Sequence, residues 1–157
     1  MAGSGAGGAL TSTGINNVGV GYQAANVMTT GVNNVATGYR ALYYTTTGST
    51  NTASGLYALK CNTTGSANTA FGGNAGQGAA GPGATGSYNT AIGSHSLLCN
   101  TTGTCNTASG YVALKLNTTG VRNTASGEGA LNSNTTGSYN SAVGSWALGA
   151  NTAGIGN

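Results

Sequence analysis

Asparagine followed four residues later by glycine recurs along this chain: Asn17 with Gly21, Asn34 with Gly38, Asn51 with Gly55, Asn68 with Gly72, Asn89 with Gly93, Asn106 with Gly110, Asn123 with Gly127 and Asn140 with Gly144. Each pair stands 17 residues after the last except for one step of 21. A second glycine column, Gly31, Gly48, Gly65, Gly86, Gly103, Gly120, Gly137 and Gly154, keeps the same step, and Asn157 falls one period beyond Asn140. The unit reads N-T-A-x-G-x-x-A-L-x-x-N-T-T-G-S-x. Such self-similarity at a short fixed period marks an architecture that buries its core only by stacking neighbouring units, so the question becomes which solenoid it is.

The unit cannot be helical, because two glycines and two Asn/Thr clusters leave apolar runs too short for three turns, and each glycine costs about 1 kcal/mol against alanine inside a helix. Short strands joined by tight corners fit. The expected fold is all-β, a parallel β-solenoid or β-roll of about eight 17-residue coils over 17–157, preceded by a cap or frayed segment at 1–16 and interrupted by a loop at 72–86. The asparagine and glycine columns together, Asn17 to Asn140 and Gly21 to Gly144, are its expected structural ladder. Composition agrees: only Arg40, Lys60, Lys115, Arg122 and Glu128 carry a formal charge among 157 residues, so Thr, Ser and Asn must supply the polar surface. Strict spacing also argues against disorder in a glycine-rich chain.

Within a unit, N-T-A-x reads as a first strand and x-x-A-L as a second, with N-T-T-G as the return corner. Alternation turns Ala36, Ala53, Ala70, Ala91, Ala108, Ala125 and Ala142 to one face. On the second strand an alanine precedes a leucine at Leu42, Leu59, Leu114, Leu131 and Leu148, and Ser96 takes the alanine's place before Leu97. Neighbours on an extended strand cannot both face one core. Either the alanines line the coil and the leucines form an outward apolar column, or the leucines fill the coil; the first packing is favoured, and it calls for a partner chain to cover the ridge. The first-column asparagines are expected to stack amide on amide, to satisfy corner backbone groups, or to adopt left-handed geometry. The glycines are expected at corners with positive φ. The Asn-Thr-Thr triplets at Asn62, Asn100, Asn117 and Asn134 match glycosylation sequons but read as by-products of the corner.

The four extra residues and the one proline fall in the stretch 72–86, GGNAGQGAAGPGATG. Solenoids place insertions on binding faces, so Gln77, Pro82 and Thr85 are the candidate contact residues. Tyr22, Tyr39, Tyr57, Tyr111 and Trp146, at variable positions after the first glycine, could stack on sugars or cover an interface.

Several functions are excluded on composition. Four scattered cations cannot make the basic stripe that nucleic acid requires. Glu128 is the sole carboxylate side chain and His95 the sole imidazole, so neither a carboxylate pair nor a Ser-His-Asp set can be assembled, and the chain reads as a non-enzyme without cofactor. No Cys-x-x-Cys or other metal-ligand spacing occurs. Cys61 and Cys99 stand two coils apart, too far to bridge, whereas Cys99 and Cys105 flank one corner; reduced thiols are the expectation. MAGSGAGGAL has no basic or apolar signal-peptide region, and no run approaches a membrane span. Regular units up to Asn157 suggest a fragment, or an end that stacks on a neighbour.

Units such as Asn89-Thr-Ala-Ile-Gly93, Asn106-Thr-Ala-Ser-Gly110-Tyr-Val-Ala-Leu114 and Asn134-Thr-Thr-Gly-Ser-Tyr-Asn-Ser-Ala-Val-Gly144 resemble the head repeats of trimeric autotransporter adhesins, and still more the NTAxGxxAL…NTTG arrays of phage tail-fibre and related bacterial fibre proteins. The resemblance spans Asn17 to Asn157. It implies a β-roll from each of three chains packed about a threefold axis, a stiff extracellular or virion-associated shaft or head that contacts a host cell, surface receptor or glycan. Such a homotrimer would cover the leucine column; end-to-end stacking is the other form of self-association.

A rival reading is an ice-binding β-solenoid. Thr52, Thr69, Thr90, Thr107 and Thr124 form one column, continued by Ser141, as an ice plane requires. The companion column, Ser54, Phe71, Ile92, Ser109, Ser126 and Val143, is uneven. A self-stacking filament subunit is the remaining alternative.

Overall fold

The computed structural model describes residues 13–157 apart from Ala80. Each Asn-to-Gly interval holds a three-residue extended segment: β1 (Val18–Val20), β2 (Val35–Thr37), β3 (Thr52–Ser54), β4 (Thr69–Phe71), β5 (Thr90–Ile92), β6 (Thr107–Ser109), β7 (Thr124–Ser126) and β8 (Ser141–Val143). They form one parallel sheet in sequence order. Register is in step, with Ala36 beside Ala53, Ala70 beside Ala91 and Ala108 beside Ala125. The chain is therefore a parallel β-solenoid, all-β across the described residues. Alternation sorts the faces as expected, the central residue of each strand being buried and its flanks turned out.

The wall opposite is not a second strand. After the first glycine the backbone alternates in sign: Gly55 at φ 140°, Tyr57 at 57° and Leu59 at 49° are positive, whereas Leu56 and Ala58 between them are not. The rule that neighbours face opposite sides holds for extended backbone only. In this folded wall Ala58 and Leu59 both point inward, as do Ala41 with Leu42 and Ala113 with Leu114. The expected outward leucine column is thereby overturned: Leu42, Leu59, Leu97, Leu114 and Leu131 are buried core, and only Leu148, in the last coil, is exposed, at 39%. The wall is still bonded along the axis, for Leu59 N–H donates to Ala75 O and Leu114 N–H to Ala130 O, at 3.0 and 2.9 Å.

The two glycine columns are required for different reasons. The first has positive φ throughout, as expected, from Gly21 at 126° through Gly72 at 129° and Gly93 at 117° to Gly144 at 119°. It also lies where successive coils touch: a Cβ on Gly110 would stand 2.5 Å from the carbonyl oxygen of Gly127. Gly21 and Gly72 are half-buried members of this column and have no side chain to add to a ladder. Their part is to let backbone approach backbone, Gly21 against Gly38 and Gly72 against Gly93. The ladder expectation is corrected accordingly: side-chain amides bond the coils, and the first-column glycines are the close contacts between them. The Gly31 to Gly154 column does not have positive φ, contrary to expectation. Its glycines are needed because the next coil's backbone passes too close; a Cβ on Gly120 would collide with the carbonyl of Gly137 and the amide of Asn117.

At the start, residues 1–12 lie outside the described residues. Gly14 already stands against Gly31, and Asn16 Nδ2 donates to Asn33 Oδ1 at 3.1 Å, so 14–16 follow the coil register rather than forming a separate segment. The interruption is also narrower than 72–86. Gly72 belongs to the coil and not to the loop, since its N–H donates to Ser54 O at 2.9 Å, as Gly55 N–H does to Thr37 O. Cys61 N–H donates to Gln77 O and Thr63 N–H to Ala84 O, both at 2.8 Å, so the coil is left only between Gly78 and Ala84.

Candidate functional site

The asparagines of the first column immediately precede the strands, and those from Asn34 to Asn140 sit almost wholly buried. Asn106 is typical. Its Nδ2 donates to Gly120 O at 2.8 Å and to Asn89 Oδ1 at 3.3 Å, and its Oδ1 accepts the backbone N–H of Asn123 at 3.0 Å. An aspartate would lose the donors and a glutamine would be a methylene too long. The pattern runs from Asn17 through Asn34, Asn51, Asn68, Asn89, Asn123 and Asn140 to Asn157. These residues are an amide ladder, with none in the left-handed region.

A second ladder, unforeseen in the sequence, uses the sequon asparagines. Asn117 Nδ2 donates to Asn100 Oδ1 at 2.8 Å, Asn134 Nδ2 to Asn117 Oδ1 at 2.9 Å, and Asn151 Nδ2 to Asn134 Oδ1 at 2.9 Å. Asn62, Asn100, Asn117 and Asn134 also donate to the glycine of their own corner, as Asn117 does to Gly120 O at 3.0 Å. Buried amides engaged in this way leave no acceptor for a glycan on the folded coil. The 17-residue spacing of N-T-T-G is the available signal.

With the leucines inside, the surfaces open to a partner are the sheet face, the corner wall and the loop. On the sheet, Thr52, Thr69, Thr90, Thr107, Thr124 and Ser141 pair in register as one outward column. Adjacent hydroxyls are thus about 4.8 Å apart. Beside them runs the uneven column, in which Phe71 and Ile92 are each about half exposed. Of the loop candidates, Pro82 is exposed on the projecting turn, whereas Gln77 and Thr85 stand at its feet, held by their backbones to Cys61 and Thr101.

The aromatic residues stack on one another along the axis. Tyr22 and Tyr39 are parallel at 5.3 Å, Tyr57 meets Tyr39 edge-on at 5.4 Å, and Arg40 and Lys60 lie over Tyr39 and Tyr57. Tyr39 is thus flanked by neighbouring side chains. Trp146 lies over Gly129, where a side chain would collide with its indole, and Tyr111 meets His95 edge-on. His95 is half-buried, 2.8 Å from Ser94 Oγ and 3.3 Å from Asn74 Nδ2, and Glu128 is exposed two coils away.

Cys61, Cys99 and Cys105 are free thiols, buried, half-buried and exposed in that order. Burial pushes the Cys61 thiol up, against the opposing pull of the Gly81 backbone and Lys60. Burial likewise raises Cys99, opposed by Lys115. Among the described residues no helix is long and apolar enough to cross a membrane. Comparison with protein-family models, with curated proteins and with solved structures gives no match.

Proposed function

We propose that this chain is a rigid segment of an extracellular or virion-borne fibre, an adhesin- or tail-fibre-like shaft or head that attaches to a host cell or surface. The observation that carries the reading is the unbroken first asparagine ladder from Asn17 to Asn157, which ties every coil to the next through side-chain amides. Hydrogen bonds and packing along one axis resist bending, and eight coils at about 4.8 Å each make a rod of about 38 Å. A surface of Thr, Ser and Asn with five charged side chains suits a spacer better than a catalyst.

Assembly as a homotrimer belongs to the same proposal. The leucines no longer supply its contact, but Val35, Phe71 and Ile92 on the sheet face offer exposed apolar surface in their place. Light scattering with small-angle X-ray scattering tests it: a three-chain rod is expected, and a monomer that binds no cell surface overturns it.

Ice binding is the second reading, carried by the in-register threonine column on a parallel sheet. The exposed rings and branches of Phe71 and Ile92 interrupt the neighbouring column, which is why the fibre is preferred. Thermal hysteresis abolished by Thr107→Tyr would reverse that preference.

A further inference from the structure

The second asparagine ladder is broken once. Asn62 and Asn100 are consecutive members of that column two coils apart, and the coil between them, which carries the loop, has Gly83 at the matching place. In the same coil the leucine column also fails, with Gly76 standing between Leu59 and Leu97. Two inward side chains are therefore missing from one level of the core, and a cavity of about 20 Å³ remains there, lined among others by Leu59, Asn62, Gly76, Ala84, Leu97 and Asn100.

The polar walls of this cavity are incompletely bonded. Asn100 Nδ2 donates to Gly103 O at 2.9 Å but has no upstream amide oxygen of the kind that Asn117 finds in Asn100. Asn62 spends its Nδ2 on Gly65 O and Thr45 Oγ1, while its Oδ1 receives no donor of the kind that Asn117 gives to Asn100. Both residues are more than nine-tenths buried, Asn62 at 2% and Asn100 at 8% exposure. An acceptor on Asn62 and a donor on Asn100, both on buried residues, thus border one space of about 20 Å³, the lower limit for two waters at about 10 Å³ each.

We propose that the cavity is an internal hydration site that replaces the missing asparagine. The two amides are about 9.6 Å apart along the axis, two strand spacings, so one water cannot touch both. Two waters in series can, one donating to Asn62 Oδ1, the other accepting from Asn100 Nδ2, and a hydrogen bond joining them. The site lets the loop be inserted without cutting the polar ladder, and it takes water rather than an apolar guest because its ends are amides.

The test is water–amide magnetisation transfer by NMR on the folded chain, read at the side-chain amide of Asn100. Cross-peaks to long-lived water are expected there in the native chain, lost in the cavity-filling variant Gly76→Leu. Absence of such peaks in the native chain overturns the proposal. Xenon-induced shifts of the Leu59 and Leu97 methyls in their place would identify a dry cavity.

Discussion

Asn106 and Asn123 are joined twice, the Oδ1 of Asn106 accepting the backbone N–H of Asn123 at 3.0 Å and its Nδ2 at 3.1 Å. Truncating Asn106 to alanine leaves the backbone N–H of Asn123 buried without a partner, whereas Gly120 O keeps the amide of Asn117 and Asn123 Nδ2 keeps Gly137 O. At about 1–3 kcal/mol for one unsatisfied group, Asn106→Ala should destabilise the solenoid by about 1–3 kcal/mol. Urea unfolding followed by far-UV circular dichroism measures it, and a loss near zero would show the ladder to be incidental.

The placement of the leucines can be checked by a matched pair. Leu114 is fully buried and Leu148 is 39% exposed. Leu114→Ala should cost about 2–5 kcal/mol, as core truncations do, and Leu148→Ala well under half of that. Equal small losses would restore the outward column.

A second pair separates backbone strain from collision. Gly110 and Gly144 both have positive φ, 139° and 119°, but a Cβ on Gly110 meets the next coil whereas one on Gly144 meets nothing within 4 Å. Gly144→Ala should therefore carry only the backbone penalty of a φ near 119°, a region almost reserved for glycine, of about 1–3 kcal/mol. Gly110→Ala should prevent the coils from closing, with loss of the cooperative transition in thermal melts.

The thiols should differ in reactivity. In the folded chain Cys105 should be alkylated fastest, Cys99 slowly and Cys61 last, as read by mass spectrometry of labelled peptides. Burial raises Cys61 above the ordinary thiol value of 9.0, so the fold retains that proton longer than the unfolded chain does. Its contribution to stability is full below about pH 9 and fades as pH rises through the raised value. Cys61→Ala should flatten that alkaline decline in a pH series of melts.

Much of this fold is legible because period and chemistry coincide at Asn34, Gly38 and Ala36. One identifies the unit, one the corner and one the inward face of a short strand. Leu59 is misread for a physical reason: the alternation rule presumes extended backbone, and a φ of 49° at Leu59 after a negative one at Ala58 turns both side chains inward. Gly72 opens the irregular stretch in the sequence, yet its backbone keeps the bond to Ser54 that places it in the coil, a long-range pairing that composition does not reveal. Asn117 reads as a sequon, although its 17-residue spacing from Asn100 and Asn134 signals a ladder. Gly120 is assigned to the right place with the wrong reason, since close approach of Gly137 cannot be read from one unit alone. The candidate contacts are less legible because Gln77 and Thr85 prove to belong to the coil ladder, leaving Pro82 on the projection.

Along both asparagine ladders the Oδ1 points toward the following coil and accepts from it, as Asn34 does from Asn51 and Asn117 from Asn134. The side-chain amides are therefore aligned head to tail, and their dipoles, each comparable to the ~3.5 D of a peptide unit, add along the axis instead of cancelling. A molecule with so few charges acquires a direction by this means. Along these two ladders the amides present acceptors toward higher residue numbers and donors toward lower ones, so the side chains give the rod a direction without a single ion pair among the described residues.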